Sequence, residues 1–167
     1  MGKLIALYRL VIRSGKFVLP VVLLLIRLAW GWELFESGRG HLMHIEQTVE
    51  AFRGWGVPAP EMSVRVSGTF EMVGGLLWMA GLGTRFISLP LFFNFCVAYA
   101  TASRDNVLQL FHSGADFDKI TDDSAFPFLV TSLLLFALGP GLISIDAILK
   151  RTVFAKWNSH PKLPPAS

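Results

Sequence analysis

The hydrophobic positions of this chain fall into long unbroken runs. An amphipathic helix of a soluble protein would repeat its apolar positions every three or four residues, and a strand would alternate them. Each run here approaches the roughly 20 residues that cross a bilayer as a helix. The runs cover residues 17–35, 64–82, 86–102 and 126–145. The pattern predicts an all-α protein, a polytopic membrane bundle of four helices that forms one domain over residues 1–150.

The composition supports this prediction. Of the 167 residues, 53% are hydrophobic and only 16% are charged, whereas about 25% of the residues in an ordinary soluble domain are charged. Mean hydropathy is +0.53. The first run is too long for the apolar part of a signal peptide, and the ESGRGH that follows it offers no small-residue cleavage site. We therefore expect the first run to remain in the mature protein.

Basic residues cluster beside the predicted spans. They are Lys3, Arg9, Arg13 and Lys16 before the first span, Arg85 between the second and third, and Lys150, Arg151, Lys156 and Lys162 near the end. Membrane proteins concentrate Lys and Arg on the cytoplasmic side, so both termini are predicted to be cytoplasmic, with loops 38–61 and 103–124 outside. Membrane orientation accounts for the net charge of +3, and no nucleic-acid partner is expected because no folded basic face is available.

Shorter segments flank the spans. The leader KLIALYRLVIRSGK interleaves basic and apolar residues and is predicted to lie as a helix on the cytoplasmic membrane surface. In the first outer loop, apolar residues recur at helical spacing before GWGVPAP breaks the pattern, which predicts a short helix at the outer face. Those apolar residues are Leu42, Ile45, Val49 and Phe52. Residues 151–167 end in a proline-rich stretch and are predicted to be a disordered cytoplasmic tail.

The residue types narrow the chemistry. Cys96 is the one cysteine, which rules out an intrachain disulfide or a dithiol pair, and we interpret it as a small buried hydrophobe. His41 and His44 have a spacing that one metal ion could bridge, but no third ligand completes a set, so no metal site is predicted. Phosphate-binding glycine loops and zinc-protease motifs do not occur in the sequence.

Arg27 and Glu71 are charged residues inside apolar runs, and a charge removed from water is costly unless it is paired. With Phe17 and Leu82 taken as the cytoplasmic ends, a rise of 1.5 Å per residue places Arg27 about 15 Å deep and Glu71 about 16 Å deep. Antiparallel neighbouring helices would then bring the two charges together, with Asn94, about 12 Å deep, as a third polar partner. This cluster is either a working site or a contact that only holds the helices together.

Glu33 raises a separate question because it lies about 24 Å along the first run from Phe17, near the outer interface. It is either a solvated acid at the level of the lipid headgroups or part of a polar entrance above the buried cluster. The other members of that predicted entrance are Glu36, Arg39, His41 and His44. A proton or a polar ligand would reach the cluster through it.

Several short motifs stand out along the chain. They are Arg27 with Gly31, Ser37-Gly38-x-Gly40, Gly56-x-Pro58, Glu71 with Gly74 and Gly75, Gly81 with Thr84 and Arg85, and Gly139-Pro140-Gly141 with Ser144 and Asp146. With this combination, the chain from Arg27 to Leu149 resembles the DoxX family of small four-helix membrane proteins. Family members commonly show lysine where this chain has His41, so a fixed positive charge at that position is not essential to this protein.

The resemblance implies a multi-pass protein of the bacterial inner membrane, because DoxX-like proteins are associated with membrane redox systems and are related to a subunit of thiosulfate:quinone oxidoreductase. It implies an oxidoreductase component that acts as the membrane subunit or partner of a redox complex. The chain has no cofactor motif of its own, and quinone is the cofactor that the resemblance suggests. The expected partners are the lipid bilayer, a soluble or membrane redox protein, and a second copy of the chain.

Two other functions remain open from the sequence. A proton-coupled carrier or channel for a small solute would use Glu71 as its titrating group, and a scaffold or assembly protein would use the polar cluster only for packing. In the redox interpretation, Glu71 and Arg27 are the candidate catalytic residues. The candidate ligand-binding residues are Arg27, Glu71, Asn94, Glu33 and His41.

Overall fold

The computed structural model describes residues 2–104, 107–108 and 118–158, and the regular elements among them are all α-helices. The helices are α1 (Gly2–Met43), α2 (Ile45–Gly54), α3 (Pro60–Ala80), α4 (Thr84–Thr101), α5 (Asp118–Thr121), α6 (Phe126–Leu138) and α7 (Ile145–Asn158). The all-α prediction is confirmed. Residues 151–158 of the predicted disordered tail continue α7, and residues 159–167 lie outside the described part of the chain.

Four helices form the bundle. Helix α1 packs along α3, α4 packs along α6, and α3 also contacts α4, which joins the two pairs. Side chains without any solvent exposure fill the centre, namely Leu34, Trp78, Leu91 and Leu135. The indole Nε1 of Trp78 donates a hydrogen bond of 3.0 Å to Ser88 Oγ, so the polar edge of the largest core side chain is paired where α3 meets α4.

Glycines bring the backbones of α1 and α3 into contact. A Cβ atom added at Gly38 would lie 2.4 Å from the backbone nitrogen of Met72 and 2.5 Å from the carbonyl oxygen of Gly68. One added at Gly75 would lie 2.4 Å from the carbonyl oxygen of Gly31. Small residues permit such close approach of helices, which gives close packing where lipid offers no hydrophobic driving force. Gly68 and Gly75 of α3 therefore lie at this interface.

The outer faces of the bundle are apolar. Large hydrophobic side chains point away from the core along each helix of the bundle, including Phe70, Val73 and Leu76 of α3, Leu89 and Phe93 of α4, and Leu133 and Phe136 of α6. Among the described residues, the stretch Tyr8–Met43 of α1 is long and apolar enough to cross a membrane, and α6 is apolar but shorter. The helices pack against one another as described, while the membrane setting of the bundle and the number of crossings stay predictions.

Helix α1 differs from the sequence prediction. The leader does not form a separate surface helix, because α1 runs without a break from Gly2 to Met43 with Pro20 inside it, a length of about 63 Å. Phe17 is 71% exposed, whereas Leu23 is 3% exposed, so the packed part of α1 begins later than the predicted span and extends beyond residue 35. The predicted short helix is confirmed as α2, which ends at Gly54, the first residue of the predicted breaker.

The two ends of the bundle are built differently. At the end that we call the turn end, residues 81–83 connect α3 to α4, and Gly81 and Gly83 adopt positive φ angles of 66° and 57°. Asp146 at the start of α7 accepts hydrogen bonds from the backbone N–H groups of Gly83 (2.8 Å) and Thr84 (3.1 Å), which fixes the beginning of α4. The opposite end, the loop end, carries α2 and residues 55–59.

A candidate ligand site at a buried carboxylate

Glu71 of α3 is 4% exposed, and its carboxylate is held by donors from three helices. Ser67 Oγ donates to Oε1 over 2.9 Å, and Asn94 Nδ2 of α4 donates to the same oxygen over 3.1 Å. Ser37 Oγ of α1 donates to Oε2 over 3.0 Å. Hydrogen bonds to a carboxylate are stronger than those between neutral groups, and they offset much of the cost of burying the charge.

His41 is the fourth group beside the carboxylate. Its Nδ1 lies 3.2 Å from Glu71 Oε2, which is within ion-pair distance, although the ring is not aligned for a straight hydrogen bond. The imidazole packs edge-on against Phe52 of α2, with the ring centroids 6.2 Å apart. Because the His41 side chain remains 32% exposed, it is open to the cavity described below while it contacts the buried acid.

Helical spacing explains how these residues meet. Side chains four residues apart lie on one face of a helix, so Ser67 and Glu71 share a face of α3, and Ser37 and His41 share a face of α1. Gly38 lies beside Ser37 and lets α1 approach α3 closely enough for the hydroxyl to reach the carboxylate. The polar pairs therefore meet because the glycine contact fixes which turns of the two helices lie side by side.

A cavity of about 380 Å³ lies next to Glu71, on the side toward the loop end. Its volume falls within the range of small-molecule sites, roughly 300–1,000 Å³. Four aromatic residues line it, Phe52, Trp55, Phe95 and Phe128, together with polar residues that include Ser103, Asp123 and Ser124. Asp123 also accepts a hydrogen bond from Ser103 Oγ and one of 2.9 Å from the backbone N–H of Ala125. Among the described residues that line the cavity, none is Lys or Arg.

Arg27 does not pair with Glu71, so the predicted pair is wrong. Arg27 is 1% exposed and lies at the turn end, where its Nη2 donates to the carbonyl oxygen of Ile143. Its guanidinium packs against Gly81, because a Cβ atom added there would overlap Nη1. Asp146 is the negative charge that acts on the guanidinium, and within the described residues Nε and Nη1 have no hydrogen-bond partner.

The pairing of helix turns explains the error. The prediction takes Phe17 and Leu82 to lie at the same depth in the membrane. In the structure, Arg27 is the α1 residue that contacts Gly81 at the turn end. Arg27 lies about ten residues C-terminal to Phe17, so the depth of α1 was misplaced by about 15 Å. Asn94, by contrast, is confirmed as a polar partner of Glu71.

The predicted polar entrance is not a single cluster. Of its five members, only His41 lines the cavity. Glu33 is exposed and lines a shallow depression on α1 with Trp30 and Trp32, which agrees with the simpler interpretation of a surface acid. Glu36 pairs with Arg39 on the exposed surface, and His44 is the residue that precedes α2.

Ser37 and Ser67 were not predicted as site residues, although both donate to Glu71. Their signal was present in the sequence. Ser67 lies four residues before Glu71 on the same helix, where a hydroxyl can reach a carboxylate. Ser37 belongs to the Ser-Gly-x-Gly motif. Its hydroxyl reaches the Glu71 carboxylate because Gly38 lets α1 and α3 approach closely.

Fold and site together define a small helical protein in which, within the described residues, a buried carboxylate lies beside an aromatic cavity. Residues 22–104 match the family model described as DoxX. The chain is therefore a DoxX family member over this region, which confirms the resemblance that the motifs indicate. The matched region contains Glu71 and all four side chains that contact it, while the α6 side of the cavity lies beyond it. No curated protein and no solved structure matches the chain.

Proposed function

We propose that this protein is a multi-pass bacterial inner-membrane component of a redox system, and that it binds a quinone at Glu71. The observation that carries the proposal is the carboxylate held by Ser37, Ser67, Asn94 and His41 next to a cavity with aromatic residues. Lipid-soluble redox carriers combine a planar ring with polar oxygens, and this site offers an apolar space with polar groups at one end.

The residues fit the reduced, hydroxyl-bearing form of such a carrier. An ionised carboxylate only accepts hydrogen bonds, so Glu71 suits a ligand that donates one. A bound quinol supplies two electrons and two protons. Glu71 and His41 would accept and hold the protons, and Phe52 and Phe95, which line the cavity, would pack against the ring and exclude water. The electrons would pass to a partner protein, so the chain acts as a membrane subunit rather than as a complete enzyme.

The packing on the other side of Glu71 supports ligand binding over conduction. Leu34, Trp78 and Leu91 are fully buried between the Glu71 level and the turn end. A channel or carrier would need a polar path through this layer. The large described side chains there are apolar, and the buried hydroxyls of Ser88 and Ser132 are hydrogen-bonded within the bundle. A cavity that is closed below the acid suits a site that takes up and releases its ligand on one side.

The substitution Glu71→Gln tests the proposal. It keeps the shape of the side chain but removes the charge and the proton acceptor, so quinol that co-purifies in mild detergent under reducing conditions should fall about tenfold or more, as expected for a lost charge-assisted hydrogen bond. Extraction and mass spectrometry measure the quinol. The matched control is Glu33→Gln, which changes an exposed carboxylate on α1 and should leave the quinol content unchanged.

Other outcomes would support different functions. Full quinol content in folded Glu71→Gln protein would contradict the proposal. Solute flux in proteoliposomes that disappears in Glu71→Gln would favour the proton-coupled carrier. A wild-type protein with neither quinol nor flux would favour the scaffold.

The four-span arrangement with cytoplasmic termini belongs to the same proposal. Reporter fusions after Lys16, Arg85 and Arg151 should report cytoplasm, and fusions after Arg53 and Asp118 should report the outer side, because basic residues favour the cytoplasmic side. A carboxyl terminus on the outer side would contradict four spans. With this topology, the loop end and the cavity face the outer half of the bilayer.

A further inference from the structure

Helices α3 and α4 are in contact along one part of their length only. The contacts lie at three successive levels, with Trp78 on Ser88 nearest the turn end, then Gly74 on Leu91, and then Glu71 on Asn94. Beyond Glu71, toward the loop end, the next residues of both helices line the cavity. They are Ser63, Val66 and Ser67 of α3 and Val97, Ala98 and Thr101 of α4. The two helices therefore enclose the cavity between them above the acid.

Val66 and Val97 show where this cavity reaches the surface. Val66 is 46% exposed and Val97 is 55% exposed, yet both line the cavity that contains Glu71. A side chain that faces a cavity and the outside at once marks an opening. By this criterion Trp55, which is 47% exposed, marks a second opening at the loop end, and Val66 and Val97 mark one between α3 and α4. Val66 is five residues from Glu71, about 7.5 Å along the helix, so the opening lies close to the carboxylate.

The surface around this opening is apolar. Phe70 and Val73 of α3 and Phe93 of α4 are exposed on the outer faces of the same two helices. Apolar faces of this kind contact the hydrocarbon of the bilayer when the bundle crosses a membrane. The opening between Val66 and Val97 is therefore directed sideways into lipid rather than along the bundle axis into water.

The charges of the cavity restrict its ligand. Two carboxylates line it, Glu71 and Asp123, and none of the described lining residues carries a fixed positive charge. A small oxyanion would meet two like charges and no Lys or Arg, and His41 already lies against Glu71. This arrangement costs free energy and disfavours the entry of an oxyanion. A neutral molecule that donates a hydrogen bond to Glu71 meets no such penalty.

We infer that the gap between Val66 and Val97 is a lateral portal through which a neutral, membrane-dissolved amphiphile with a hydroxyl-bearing head enters the cavity and donates to Glu71. The inference rests on the proposed function, because it takes the bundle as membrane-spanning and the quinol as the ligand class. It adds the direction of entry, the residues that form the entrance, and the exclusion of oxyanions from the site.

Photolabelling in proteoliposomes tests the portal. The probe is a quinol with a photoreactive azide on its isoprenoid tail, and its adducts are mapped by mass spectrometry of the purified full-length protein. A head bound at Glu71 through the portal leaves the tail between α3 and α4, so adducts are expected on those helices near Val66 and Val97. Adducts confined to α2 and the residues 55–59 that follow it would overturn lateral entry.

Three variants sharpen the test. Val66→Trp and Val97→Trp fill the portal. Specific labelling, meaning the part that unlabelled quinol displaces, should fall by about tenfold or more in each variant, which corresponds to roughly 1.4 kcal/mol. Val73→Trp is the matched control, because Val73 is 41% exposed on the same helix and does not line the cavity, and it should label as the wild type does. Val66→Ala widens the portal and should speed labelling, while thermal unfolding confirms that each variant is folded.

The outcomes separate the portal from the proposed function. If unlabelled quinol displaces the probe from the wild type, and both tryptophan variants label equally well, the inference of a lateral portal is wrong and quinol binding still stands. Wild-type protein without displaceable labelling would overturn both. Millimolar thiosulfate should not displace the probe, and displacement by it would overturn the exclusion of oxyanions.

Discussion

Replacing Gly38 by Leu should prevent the bundle from assembling. A Cβ atom alone would lie 2.4 Å from the backbone nitrogen of Met72 and 2.5 Å from the carbonyl oxygen of Gly68, and backbone atoms cannot move aside as a flexible side chain can. Overpacking a well-packed core costs typically about 1–3 kcal/mol and occasionally more. Because a whole side chain must fit between two touching helices here, we expect a loss of at least about 3 kcal/mol, measured by denaturant unfolding in detergent.

Gly40→Leu is the matched control for this substitution. Gly40 lies two residues further along α1, and an added Cβ would meet no atom within 4 Å. Replacing a helical glycine without a clash should stabilise the helix by about 0.5–1 kcal/mol. Equal effects of the two substitutions would show that the glycine contact does not hold α1 against α3, and the described geometry of the site would then be wrong.

Arg27→Met and Glu71→Leu should destabilise the protein independently. Glu71→Leu leaves Ser37, Ser67 and Asn94 without their acceptor in a buried place, which we expect to cost about 3 kcal/mol. Arg27→Met removes the donor to Ile143 and the charge near Asp146, at a cost of about 2 kcal/mol. Distant sites without shared partners add to within about 0.5 kcal/mol, so the double variant should lose the sum.

This double-mutant cycle separates two pictures of the buried charges. If the residues paired, each single substitution would leave an uncompensated charge, and the double variant would be much less harmful than the sum. The free energy of unfolding of all four proteins gives the coupling directly. A coupling above about 1 kcal/mol would place Arg27 and Glu71 in contact and contradict the hydrogen bonds described for both residues.

The sequence predicts that the helices exist more reliably than it predicts the residues at which they begin and end. Long apolar runs and the breakers Gly56 and Pro58 indicate helices and a turn without any tertiary information. The end of a run does not show where packing begins, because lipid-facing and core-facing residues are equally apolar. Helix α1 therefore extends beyond both limits of its predicted span, and α6 ends at Leu138, before Gly139, rather than near residue 145.

The sequence predicts some members of the candidate site but not their arrangement. Glu71 and Asn94 stand out because polar groups in apolar surroundings need partners, and His41 belongs to the predicted polar entrance. These residues meet only if the right turns of neighbouring helices lie side by side. Glycine contacts determine that pairing of turns, and the composition does not show it. Arg27 was assigned to Glu71 for this reason, although both residues are buried as expected. Exposure cannot be read from the sequence either, so Glu33 could not be separated from the site in advance.

The hydrogen bonds at Glu71 limit how this protein can evolve. One carboxylate binds side chains of α1, α3 and α4, so the groups that would recognise a ligand are also those that hold three helices together. A mutation at this centre that improves recognition of a new ligand is therefore apt to weaken the fold. Diversification should be concentrated in the cavity lining, at positions such as Phe52, Trp55 and Val97, where a change alters the shape offered to the ligand and leaves the buried carboxylate in place.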